Sequence, residues 1–139
     1  PQTLRLRSAT GQLRPAYCTA EGMSLLSGLR EPELKKFLAQ PRIARTPATV
    51  LDEEELRNQI RKVKRQGYAT EDETCDAGTR CIAAPIYNGD GRIVAAVGVA
   101  GPRVRIRRSQ FNKLSQTVLE AATAISERLG YIKRQRVYI

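Results

Sequence analysis

The stretch from Cys81 to Pro102, CIAAPIYNGDGRIVAAVGVAGP, leaves this chain few ways to fold locally. Two β-rich runs, about 80–87 and 92–100, flank Asn-Gly-Asp-Gly, whose residues readily take positive φ. That pattern predicts an antiparallel hairpin. In the second run Ile93, Ala95, Val97 and Val99 share one face, and Val94, Ala96, Gly98 and Ala100 share the other, since successive side chains alternate. The first face is bulky and the second dwindles to almost nothing. With Cys81 and Ala83 on the partner strand, the small face predicts either a helix packed unusually close or a cavity.

The elements around the hairpin follow from periodicity and caps. Leu4 and Leu6 alternate with Arg5 and Arg7, which predicts a half-exposed strand over 3–8. Thr19 can cap a helix carrying Leu25, Leu26 and Leu29, and Pro32 can begin a second with Leu34, Phe37 and Leu38. Residues 40–51 read as a surface connection. Asp52 and Glu55 resemble a capping box, Leu56, Ile60 and Val63 form one apolar stripe, and Gly67 supplies a stop. A strand is expected over 68–73 and a loop near Gly78. Ser109 can cap a final helix with Phe111, Leu114, Val118, Ala122, Ile125 and Leu129 on one face, closed by Gly130. Helices grouped before a hairpin, with a long helix after it, predict an α+β class with a mainly antiparallel sheet.

Composition limits the chemistry. The chain has 139 residues, enough for one domain, and no apolar run approaches a membrane span. It begins at Pro1 rather than Met, so a fragment or processed chain is expected. Three cysteines at wide spacing, with no histidine anywhere, argue against a disulfide framework, a zinc site and a histidine-activated nucleophile. Reduced thiols in the cytoplasm are expected, with no metal and no cofactor. A net charge of +10 suggests attraction to polyanions. The bases are divided among RKVKR at 61–65, RVRIRR at 103–108 and KRQR at 133–136, and no nucleic-acid motif accompanies them.

Three features could carry function: the small strand face, the helix start at CTAEG, and the thiols with the acidic run at 71–73. Helix-start amides attract carboxylates and phosphates, although Thr19 can satisfy one of them itself. Cys81 reads as a small buried hydrophobe, with Arg80 pointing to the other face. Glu71 and Glu73, on alternate positions, could both face a ligand. An enzyme is not expected. Direct nucleic-acid binding and a thiol redox sensor centred on Cys81 are the alternatives to a sensor of small molecules.

YCTAEGMSLLSGL, LRNQIRKVKRQGYATEDE and GTRCIAAPIYNGDGRIVAAVGVAGP, in that order and spacing, resemble the effector-binding domain of IclR-type bacterial transcriptional regulators. The ending AISERLGY fits as well, so the resemblance runs from about Leu4 to Tyr131. It implies a GAF-like fold, a curved antiparallel sheet flanked by helices with a small-molecule pocket on one face. Residues 1–139 would then be an effector-binding domain shortened at its N-terminus. The winged helix-turn-helix DNA-binding domain that precedes it in the family would be absent from this chain. A homodimer or homotetramer and a small organic acid effector are implied as partners, with DNA contacted through that other domain and no membrane.

Carried over by position, the resemblance implies helix-start amides at Ala20 and Glu21 and an acid at Glu71. Thr79 and Cys81 follow on the next strand, Gly98 and Ala100 on the last, with Leu6 on the far wall. Some relatives place serine at the last two strand positions. Gly98 and Ala100 offer no hydroxyl there, which points away from a two- or three-carbon keto acid. It points toward an aromatic acid or a ring-degradation product, carboxylate toward Ala20 and Glu21. The similarity is closest to regulators of protocatechuate and 4-hydroxybenzoate breakdown. The resemblance also tips the small face toward a cavity rather than close helix packing.

Overall fold

The computed structural model describes residues 9–133. The strand expected over 3–8, with Leu6, and most of the basic run at 133–136 lie outside the described residues. Four helices, α1 (Ala20–Leu26), α2 (Glu31–Leu38), α3 (Glu53–Gln66) and α4 (Phe111–Arg128), accompany three strands, β1 (Ala69–Asp72), β2 (Thr79–Tyr87) and β3 (Ile93–Pro102). The strands form one antiparallel sheet in the order β1-β2-β3. The expected α+β class with an antiparallel hairpin is what the chain adopts.

Local chemistry accounts for the clearest boundaries. Asp52 caps α3, its carboxylate accepting from Glu55 N at 2.9 Å. Glu53, Glu54 and Glu55 fill the first turn, while Lys64 and Arg65 fill the last, both matching the helix dipole. Gly67 ends the helix at φ 86°, a left-handed conformation costly for other residues. In the hairpin turn Asn88 Oδ1 accepts from Asp90 N and Arg92 N, each at 3.0 Å. A register irregularity between Ile86 and Tyr87 absorbs the turn.

Register sorts the sheet into two faces. Ala69 pairs with Ala83 and Ala83 with Gly98, while Glu71 pairs with Cys81 and Cys81 with Ala100. Directly opposed residues point the same way, so these six share one face, covered by α1 and α3 through Ala20, Met23, Leu56, Ile60 and Val63. On the reverse face Ile82 and Ala84 pack against Val118 and Ala122 of α4, with Val97, Phe111 and Leu114 alongside.

Four local expectations are corrected. Ser109 caps nothing: it lies inside a 3₁₀ turn, Arg108–Gln110, whose start is held by Arg107 N donating to Gln110 Oε1 at 2.8 Å. Ile125 and Leu129 are 38% and 49% exposed, because the buried line of α4 passes instead through Ser115, Val118, Ala122 and Ser126. Ser126 belongs there for a polar reason: its hydroxyl accepts Tyr87 N at 3.0 Å where the hairpin leaves that amide unpaired. Leu25 is also outward, 42% exposed, while Leu26 is buried. Lastly, Glu73 leaves the strand at φ 59° and its carboxylate turns back to accept Gly78 N at 2.7 Å. It does not share a ligand-facing surface with Glu71, because β1 ends at Asp72.

Candidate functional site

β1 delivers Glu71 to the α1 side of the sheet, and α1 begins directly over it. Thr19 fixes that beginning, its hydroxyl accepting Gly22 N at 3.2 Å and donating to Pro15 O at 2.8 Å. Ala20 N then donates to Glu71 Oε2 at 3.2 Å. The helix-start amide expected to meet an external acid is therefore engaged by the protein's own carboxylate. Glu71 is 3% exposed, and its second oxygen, Oε1, is buried without a hydrogen-bond partner among the described residues. Such an orphaned buried acceptor is uncommon, and costly to desolvate.

The electrostatics match this geometry. Burial pushes the Glu71 carboxyl up to about 7. The Ala20 amide works against that rise, as does Arg14, while Glu21 and Asp76 add to it. Beside it the Cys81 thiol donates to Glu21 Oε1 at 3.2 Å. Burial first, and then Glu21, push the Cys81 thiol far above its ordinary range. The Cys18 thiol is raised too, by burial and by its neighbour Cys75. Thiols held protonated in this way make poor nucleophiles, which counts against the cysteine alternative.

Donor atoms of Glu21, Glu71 and Cys81 lie within 4.8 Å of one another, as do those of Glu71, Cys75 and Asp76. They are engaged internally: Cys81 S–H with Glu21, Glu71 with Ala20, and Asp76 with Arg14. A protonated thiol and a carboxyl already bonded to an amide do not form a prepared metal site, and we assign none.

Ala20, Glu21, Glu71 and Cys81 are thus brought together. Ala100 adjoins Cys81 across the sheet, and Thr79 lies two positions along the same face, paired with Pro102. The small face itself departs from expectation. Gly98 and Ala100 are exposed on β3, an edge strand among the described residues, so the end of the small face beside α1 is open rather than an enclosed cavity there. Gly98 is there for want of space: a Cβ would sit 2.7 Å from Ile82 O and 2.9 Å from Ala83 Cβ. Two half-open clefts lie elsewhere. One, of about 240 Å³, lies beside α3 and β1, near Cys18, Met23 and Lys62, and the other, of about 470 Å³, adjoins Tyr87 and Tyr131.

Arg14 and Asp76, which form an ion pair at the rim, were invisible to sequence reasoning. No pattern links residues 62 positions apart. Asp72 carries a different task on the reverse face. Burial raises its carboxyl, but the guanidiniums of Arg80 and Arg108, at 2.7 and 2.6 Å, outweigh that and hold it below its usual range. Some of the other positive charge is likewise paired: Arg57 with Glu31 and Glu53, Arg61 with Glu54, Arg103 with Glu73.

Residues 1–127 match the family described as bacterial transcriptional regulator IclR C-terminal. Among curated proteins, the chain is 36% identical over 117 residues to the Pca regulon regulatory protein of Pseudomonas putida, covering 84% of this chain and 40% of that protein. Among solved structures it is similar to the Thermotoga maritima IclR, with TM-score 0.87 and 30% identity, covering 94% of this chain and 53% of that one. It also shares the fold of the PobR inducer-binding domain from Acinetobacter, a double mutant in complex with 3-hydroxybenzoic acid. There the TM-score is 0.77 and the identity 22%, over 94% of this chain and 75% of that one. The chain spans about half or less of the length of the curated relatives it matches. Those relatives are named as transcriptional regulators. No helix among the described residues is long and apolar enough to cross a membrane.

Proposed function

The chain belongs to the IclR family of bacterial transcriptional regulators, and on that premise we propose that it is the effector-binding part of such a regulator. It takes a small organic acid, aromatic in kind, in the trough between α1 and β3. Binding there shifts the regulator between two arrangements that differ in affinity for DNA, which another part of the protein contacts. Such a shift requires that the effector prefer one arrangement. Self-association into dimers or tetramers belongs to the same reading.

The observation that carries it is Glu71, a carboxylate 3% exposed on the α1 side of the sheet, whose Oε1 has no partner among the described residues. A folded domain does not ordinarily keep such a group without a use for it. Beside it stand Cys81 and the carboxylate of Glu21, and the small residue Ala100 follows across the sheet. The PobR domain's complex with 3-hydroxybenzoic acid supports an aromatic acid as the kind of ligand this fold accepts.

Thermal unfolding with a panel of acids tests the reading. A ligand at about one hundred times its dissociation constant stabilises the fold by about 2.7 kcal/mol. We expect 3-hydroxybenzoate and related aromatic acids to raise the melting temperature. A response to glyoxylate or pyruvate alone would sink the aromatic assignment, and silence across the panel would sink the effector reading.

A further inference from the structure

Glu71 is surrounded by groups that leave no room for another bare anion. Facing it, among the described residues, are Glu21 from α1, Arg14 and Cys18 from the segment before α1, Cys75 and Asp76 from the β1–β2 loop, and Cys81 from β2. The opposing position on β3 is Ala100, which adds no charge. Arg14, the cation of the group, is already paired with Asp76. The Ala20 amide, the nearest helix-start donor, is already bonded to Glu71 Oε2. An acid arriving here therefore meets two carboxylates, Glu21 and Glu71, the second with an oxygen that has no partner among the described residues.

Resting on the effector reading above, we propose that the site takes up an organic acid only together with one proton, held between the effector's carboxylate and Glu71 Oε1. The step is a simple association: a proton from solvent joins one of two facing carboxylates, and a carboxylic acid–carboxylate pair forms. One O–H bond is made and no other covalent bond changes. The shared hydrogen gives the orphaned oxygen its partner and removes the repulsion between two buried anions, which cannot both remain ionised at close range. The elevated titration of Glu71, near 7, places this event in the neutral range. Below it the proton is already in place, and above it the proton must be captured with the ligand.

Calorimetric titration of the wild-type chain with 3-hydroxybenzoate and with its neutral amide, 3-hydroxybenzamide, tests this from about pH 6 to about pH 9. For the acid, we expect a dissociation constant that is flat at the low end and rises about tenfold per pH unit above neutrality. For the amide we expect no slope. Titrations in two buffers of different ionisation enthalpy should show uptake approaching one proton per acid bound at the high end. That measurement needs no variant. Glu71→Gln should remove the slope for the acid.

Tight acid binding that stays flat across the range, without proton uptake, overturns the proton requirement and leaves the effector reading standing. A slope that survives Glu71→Gln overturns Glu71 as the carrier. Failure of every acid in the thermal panel at the low end of the range sinks both.

Discussion

On the face that α4 covers, Ile82 and Ala84 meet Val118 and Ala122, and the charged pair formed by Asp72 and Arg80 lies at the margin. On the face that α1 covers, the same two strands bury Glu71 and Cys81 beside a helix start. Both faces are built from β1 and β2 and differ by one residue in register. The first buries mainly apolar atoms, and its buried hydroxyls, Ser115 and Ser126, have hydrogen-bond partners. The second buries a carboxylate with half its hydrogen-bonding capacity unmet. Ion pairs at a solvated margin contribute little, whereas a buried unpaired charge is costly. The difference marks the α4 face as scaffold and the α1 face as the one that gives up stability, which fits the binding role proposed for it.

The comparison breaks first where the scaffold is deepest. Ile82, with no exposed surface, is held between α4 and the strands beside it. Ile82→Ala should lower unfolding free energy by about 2–5 kcal/mol through lost burial and the cavity left behind. Urea unfolding measures it, and a loss well under that range would mean the α4 face is loosely packed.

Glu71→Gln sharpens the other side, and its effect depends on pH. The gap between the ordinary carboxyl value of 4.5 and about 7 corresponds to about 3 kcal/mol. Below 4.5 both folded and unfolded chains hold the proton, and the burial of Glu71 carries no charge penalty. Between 4.5 and about 7 the unfolded chain releases it first, so wild-type stability falls as pH rises. Above about 7 that loss is complete. The variant has no such titration. It should therefore gain on the wild type through this window, by up to about 3 kcal/mol, with denaturant midpoints at low and high pH as the check. Equal pH profiles would mean Glu71 is not the buried acid described.

Smallest is the effect at the trough's edge. Gly98→Ser places a Cβ where Ile82 O and Ala83 Cβ already stand, so it should cost about 1–3 kcal/mol by overpacking. If the substitution is neutral, β3 can move away from β2, and the trough is wider than its present width.

Particular residues show where reading the chain succeeded. Asp52 and Gly67 bound α3 because capping and left-handed stops act within a few residues, and the Asn88–Gly91 turn follows the same local logic. Ser109 misled because a good capping residue is outranked when a tighter turn forms ahead of the helix. Ile125 and Leu129 misled because a helical stripe drifts off a short sheet, and Ser126 was wanted by the hairpin. At the site, Ala20, Glu21, Glu71 and Cys81 were named by resemblance and do meet. That Glu71 would occupy the Ala20 amide was not legible, since the two lie 51 residues apart.

The small strand face carries the division most clearly. Alternation along 93–100 determined, without any structure, that one face of β3 would be nearly bare. Side-chain direction in a strand follows from backbone geometry alone. Whether the bareness would enclose a cavity depended on what lies across and above it, and only tertiary contacts settle that. Ala83 and the Ile82 carbonyl press on Gly98, the edge position leaves Ala100 open, and α1 brings its first amide down onto Glu71. Local geometry acts over a few bonds, but the charge state of a buried acid depends on every group folded around it.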